Sequence, residues 1–186
     1  MIPRLVAISG WPGTGKSTVR KWLSDELGFA SVSHDDLIRE IYGLTFDDFW
    51  KRPDFTVEWR KLREQTDQIK MGYLSEGCDV AVEGTFHYDR ERRRVLNTGD
   101  IVAQKYLIIL QTNEEEIIRR VIGRGGQPFS FDGYWRESTE WPTTGYNPDL
   151  SCEVIAYSNN TREEEQALYT DLRRRFERTN PITTPK

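Results

Sequence analysis

Residues Gly10-Trp11-Pro12-Gly13-Thr14-Gly15-Lys16-Ser17 fit the pattern G-x-x-x-x-G-K followed by Ser or Thr, and no other feature constrains the fold as tightly. The octapeptide follows an apolar run, Leu5-Val6-Ala7-Ile8-Ser9, and precedes an amphipathic stretch over 16–27 that stops at Gly28. Strand, glycine-rich turn and helix in that order is the context in which such a loop binds phosphate. The glycines let successive backbone N–H groups turn into one concavity, and the positive end of the next helix adds to its attraction for anions. Lys16 is placed to reach the β- and γ-phosphates of a nucleotide and Ser17 to ligate Mg²⁺, with Thr18 continuing the cradle.

The rest of the chain alternates short apolar runs with longer amphipathic segments. Strands are expected at 29–32, 79–83, 106–111 and 152–157, and helices at about 35–42, 57–74, from about 90, 114–122 and 161–178. In the 57–74 helix, Trp59, Leu62, Thr66, Ile69 and Tyr73 form one stripe, predicted to be buried. In the last, Thr161-Arg162-Glu163-Glu164 has capping-box spacing. Segments 46–59 and 125–150 are rich in aromatic residues without a clear period and read as loops. Strands and helices alternating at these lengths predict an α/β, three-layer fold, with a parallel sheet of about five strands covered by helices on both faces. We expect residues 1–186 to form one domain with a lid segment at about 124–150. Ligands of such sheets bind beyond the carboxyl ends of the strands.

Composition narrows the choice of partner. The formal net charge is −4, which argues against tracking along nucleic acid but leaves room for a local basic groove. The arginine clusters 90–94 and 173–178 are expected on solvated helix faces. Cys78 and Cys152 have no metal-site or disulfide spacing. With no span of about 20 apolar residues and no signal-like N-terminus, a cytoplasmic protein away from membranes is expected. Oligomeric state is not legible.

Among loop-bearing nucleotide-binding proteins, a GTPase would carry N-K-x-D after a late strand, and Ser158-Asn159-Asn160-Thr161 does not match. ATP is therefore favoured by elimination. The small size and the irregular stretch after Arg124 favour a kinase with a lid. His34-Asp35-Asp36-Leu37-Ile38-Arg39 opens beside the loop. Asp36 and Arg39 share one helix face, with Leu37 and Ile41 packing opposite. The pair can serve as a base for an acceptor hydroxyl and a ligand for an anion on that acceptor, or as an N-cap with a surface ion pair.

These motifs resemble the polynucleotide-kinase-like branch of P-loop kinases, which also takes in zeta-toxin-like and several small-molecule kinases. The resemblance rests on Gly10–Ser17 and on Asp36-x-x-Arg39, twenty positions beyond Lys16. It continues in Val82-Glu83-Gly84-Thr85-Phe86 leading to Arg90-Glu91-Arg92-Arg93, and in Arg120-x-x-x-Arg124-Gly125. It covers the first two-thirds of the chain and implies an ATP- and Mg²⁺-dependent kinase. The favoured acceptor is a 5′-hydroxyl nucleic-acid end or nucleotide, the alternative a metabolite, sugar nucleotide or antibiotic. A nucleotide-binding regulator without phosphotransfer is a third expectation. Carried over by position, Asp36 is the general base, Arg39 an acceptor ligand and Arg124 the lid arginine on the ATP phosphates. Glu83 stands where the family has aspartate, leaving its part in holding Mg²⁺ open. Arg120, one turn before Arg124, is either a second phosphate contact or, the option favoured here, a surface charge.

Overall fold

In the computed structural model, residues 1–86, 88–123 and 151–177 are described. The expected lid, Arg124, His87 and Arg178 lie outside them. The elements are β1 (Arg4–Gly10), α1 (Lys16–Leu27), β2 (Ala30–Ser33), α2 (His34–Tyr42), α3 (Phe46–Trp50) and α4 (Phe55–Ser75). They continue with β3 (Val80–Gly84), α5 (Asp89–Val95), β4 (Gln104–Gln111), α6 (Glu114–Gly123), β5 (Glu153–Ser158) and α7 (Arg162–Phe176).

The five strands form one parallel sheet in the order β2-β3-β1-β4-β5. Every residue of β1 is buried, as a strand packed on both faces requires. Val6 and Ile8 point to a core layer with Val19 and Leu23 of α1 and Leu168 and Leu172 of α7. Leu5 and Ala7 point the other way, to Leu74 of α4 and Val95 of α5. The chain leaves β1 toward β2 and β3 on one side and later places β4 and β5 on the other. The crevice at the end of β1 is therefore the topological switch point, and the loop 10–17 fills it.

Local chemistry sets the helix ends. Gly28 closes α1 with φ 71, donating its N–H to Leu23 O and Ser24 O. The Ser33 hydroxyl caps α2 by accepting from the Asp36 amide at 3.4 Å, so the cap is a serine and neither aspartate. Thr161 caps α7 through the Glu164 amide, while the Glu164 carboxylate turns to the Asn160 amide and leaves the expected box half-formed.

Three expectations are corrected. Residues 46–50 form the short helix α3, capped by Thr45, because its rings have a cluster to join; Phe49 is fully buried against Leu37, Ile38 and Leu62. The buried stripe of α4 is Leu62, Thr66, Lys70 and Leu74, with Tyr73 exposed. On α2, Ile38 and not Ile41 packs inward beside Leu37.

Candidate active site

The loop between β1 and α1 folds against itself and against the far side of the sheet. Thr14 is fully buried, its amide and hydroxyl both donating to Trp11 O, at 3.2 and 2.8 Å. Gly15 takes φ 94, and a Cβ there would sit 2.6 Å from Asn159 Nδ2. Only glycine meets both demands. Lys16 Nζ reaches back over the loop to Trp11 O at 2.8 Å. Helix α1 has no side-chain cap and no acidic residue in its first turn, so its leading amides face the concavity formed by Gly10, Trp11, Pro12 and Gly13. That is an anion site.

On the β2 side, a chain of polar contacts leads away from the loop. The Ser17 hydroxyl donates to Glu83 Oε2 at 2.7 Å, and Arg20 Nε donates to Glu83 Oε1 at 2.8 Å. Arg20 Nη2 donates to Asp36 Oδ2 at 2.7 Å, and Arg39 Nη1 to Asp36 Oδ1 at 3.2 Å. Asp36 is thus paired on both oxygens, and the i,i+3 ion pair with Arg39 is formed. Asp35 is different. It makes no hydrogen bond or salt bridge among the described residues, and its nearest charges include Glu83, Arg39 and Lys16. Desolvation, then Glu83, pushes its carboxyl above the usual aspartate range. Asp35, Asp36, Glu83, Ser17 and Arg20 line a cavity of about 380 Å³. The Ser17 hydroxyl and the Glu83 carboxylate are hard oxygen donors in contact with each other, a set that fits Mg²⁺.

On the β4–β5 side, Arg120 is half-buried rather than a surface charge. It donates from Nε to Glu116 Oε1 at 2.6 Å, from Nη1 to Gly13 O at 3.3 Å and from Nη2 to Asn159 O at 2.8 Å. With two arginines on it, the Glu116 carboxyl falls to about 2, the Arg119 hydrogen bond being the largest cause. Buried Asn159, which the sequence did not flag, donates Nδ2 to Thr14 O at 2.7 Å and so braces the loop from beneath. Its Oδ1 is buried without a partner among the described residues. Gly15, Thr18, Arg119, Arg120 and Asn160 share a second cavity of about 280 Å³. Each cavity opens on one flank of the loop.

A third group lies where α2, α4 and α5 meet. His34 packs on Trp59 at 4.9 Å between ring centroids, and burial followed by the charges of Arg63 and Arg94 lowers its pKa to about 4. Trp59 stacks on Phe55 and meets Phe46 edge-on, so the aromatic segment is a packed cluster. Arg94 pairs with Asp67 at 2.8 Å, and buried Lys70 donates to Val95 O at 3.0 Å. Arg92, expected at a solvated face, is instead buried and donates to Phe86 O at 3.0 Å. Arg63 makes no hydrogen bond or salt bridge among the described residues, although it is half-buried beside Arg94.

A family profile described as an AAA domain matches residues 5–133, well over half of the chain. The chain belongs to the AAA domain family. Within curated relatives of this AAA domain, the adenylate kinase of Renibacterium salmoninarum is 29% identical over 133 residues, spanning 63% of this chain and 64% of that enzyme. The shikimate kinase of Geobacter metallireducens is 29% identical over 176 residues, 95% of this chain and 83% of that enzyme. A crystal structure from Chloroflexus aurantiacus superposes with a TM-score of 0.69, at 18% identity, over 94% of this chain and 96% of its own. These similarities support the P-loop kinase fold and do not support the polynucleotide-kinase-like branch of it. No helix among the described residues is long and apolar enough to cross a membrane.

Proposed function

We propose that the protein is an ATP-dependent kinase that phosphorylates a hydroxyl of a small molecule carrying an acidic group. One observation carries this: beside the anion cradle at Gly10–Ser17 lies a carboxylate, Asp35, that makes no hydrogen bond or ion pair among the described residues. The relatives that act on small molecules, adenylate and shikimate kinases by name, support an acceptor of that size over a polynucleotide end. Arg63, which has no hydrogen bond or salt bridge among the described residues, supports an acidic group on it, since a half-buried guanidinium beside like charge is relieved by an anion.

In this mechanism the loop amides and Lys16 hold the β- and γ-phosphates. Ser17 and Glu83 would hold Mg²⁺, which when bound would neutralise charge on the phosphates. Asp35 accepts the acceptor's proton, a role for which its pairing makes Asp36 the weaker candidate. Arg63 takes the place first expected of Arg39, which is exposed and committed to Asp36. Arg120 acts on the nucleotide through the loop carbonyl it holds, and Arg124 is proposed as the arginine that meets the transferring group. Asn159 secures the loop beneath them.

Transfer of label from γ-labelled ATP tests this on a panel of hydroxylated acids, their neutral amides, nucleoside monophosphates and a 5′-hydroxyl oligonucleotide. We expect labelling of an acid and not its amide, with a loss of about 10²-fold or more in Asp35→Asn and a smaller loss in Asp36→Asn. Labelling of the oligonucleotide alone would restore the polynucleotide acceptor. ATP binding with no labelled acceptor would favour the non-catalytic regulator.

A further inference from the structure

Arg20 lies inside α1, one turn beyond Lys16, and its side chain is only 11% exposed. Its Nε holds Glu83, its Nη2 holds Asp36, and its Nη1 donates to the Ser31 hydroxyl. One guanidinium thus joins the loop helix to β2, to α2 and to the end of β3. Glu83, Asp35 and Asp36 gather here with Lys16, Arg20 and Arg39, and Asp25 and Lys21 complete the charged lining of the cavity. Among the described residues Arg20 is the cation hydrogen-bonded to both Glu83 and Asp36, and it leaves out Asp35.

A planar, always-charged fork with fixed donor directions suits this task, and a lysine could not serve all three partners at once. Without Arg20, Glu83 would be a buried carboxylate lacking its charge partner. Asp36 would keep only the exposed, longer contact to Arg39.

We infer that Arg20 is a positioning residue that selects the proton acceptor, tying down Glu83 and Asp36 so that Asp35 is the carboxylate left to act. This rests on the kinase reading proposed above. In the step it serves, the acceptor oxygen forms a bond to the γ-phosphorus as the bond from that phosphorus to the β,γ-bridging oxygen breaks. The hydroxyl proton passes to Asp35, and ADP carries away the electron pair.

Basal hydrolysis of γ-labelled ATP with Mg²⁺, water being the acceptor, tests this alongside binding of a fluorescent ATP analogue. Arg20→Met should slow turnover by about 10²-fold, with the analogue's dissociation constant within about threefold of wild type. Adding Asp36→Asn to Arg20→Met should restore turnover by about tenfold, because it removes the carboxylate that Arg20 had neutralised. A residue that merely props up the fold would show no such recovery. Arg20→Lys keeps the charge near Glu83 and carries the same test with Asp36→Asn if Arg20→Met does not fold. A double variant no faster than its arginine variant would overturn the inference, as would a loss confined to analogue binding. A wild type that binds the analogue but never turns ATP over would instead sink the kinase proposal itself.

Discussion

Arg63→Met separates a binding arginine from a structural one, because a binding role predicts almost no change in stability and a structural role predicts a loss. Among the described residues Arg63 makes no hydrogen bond or salt bridge, and its charge meets repulsion from Arg94 and Arg90 as well as attraction from Glu91 and Asp67. Methionine keeps most of the apolar stem, so the substitution removes the charge and no hydrogen bond or salt bridge among the described residues. The net change in stability should lie within about 0.5 kcal/mol of zero. For a chain of this length that is a shift in Tm of about 2 °C or less. Its contribution to an acidic acceptor is larger. A hydrogen bond to a charged group contributes about 1.5–3 kcal/mol, which corresponds to a rise in acceptor KM of about 10- to 150-fold. Steady-state phosphotransfer to the acid found in the acceptor screen, with ATP saturating, reads this directly, and thermal denaturation reads the rest. Arg92→Met is the control. It removes a buried donor to Phe86 O, so its Tm should fall while the surviving folded enzyme keeps its acceptor KM. An unchanged acceptor KM in Arg63→Met, or a Tm lowered by more than about 4 °C, would refute the assignment.

Asn159→Ala removes the brace under Thr14 O but also an orphaned buried oxygen. We expect a net loss of about 1 kcal/mol in thermal denaturation and a weaker nucleotide complex in analogue titrations. Unchanged binding would show that the loop holds its shape unaided. His34 gives a pH signature, since its pKa is about 4 in the folded protein against 6.5 for the free side chain. Below pH 6.5 the unfolded chain takes up a proton that folded His34 refuses, so stability falls as pH drops from 6.5 toward 4. The loss is at most about 3 kcal/mol, and urea titrations of His34→Gln should show a flatter profile across that window.

Much of this molecule was legible because its strongest signals are local. A strand, three glycines, a lysine and a helix lie within about two dozen consecutive residues, so the cradle needs no tertiary information. The buried runs of β1 and β4 declare a two-sided sheet for the same reason. What was missed depends on contacts distant in sequence. Lys70 looks polar, yet it lies on the buried face of α4 because the Val95 carbonyl at the end of α5 accepts its hydrogen bond. Arg92 joined a cluster that looked solvated, and only the carbonyl of Phe86 explains its burial. Helix α3 is five residues long, too short for any periodicity to emerge.

The site shows the same division at the scale of one residue. Asp35 and Asp36 are chemically identical neighbours, and counting from Lys16 favoured Asp36. Successive helical positions differ by about 100° in direction, so a helix that begins at His34 turns one aspartate toward Arg20 and leaves the other unpaired. That phase follows from Ser33, whose hydroxyl caps the helix. The partner that makes the distinction, Arg20, belongs to another helix and had no motif to announce it. The identity of the working carboxylate is therefore a property of the α1–α2 contact, and swapping which of the two aspartates reaches Arg20 should swap their roles. Ser33→Ala weakens the cap by about 1 kcal/mol without touching any charge. If the phase of α2 decides the proton acceptor, this variant should lower turnover while leaving binding of the ATP analogue intact. Equal turnover in Ser33→Ala and wild type would show instead that packing of Leu37 and Ile38 alone fixes the phase.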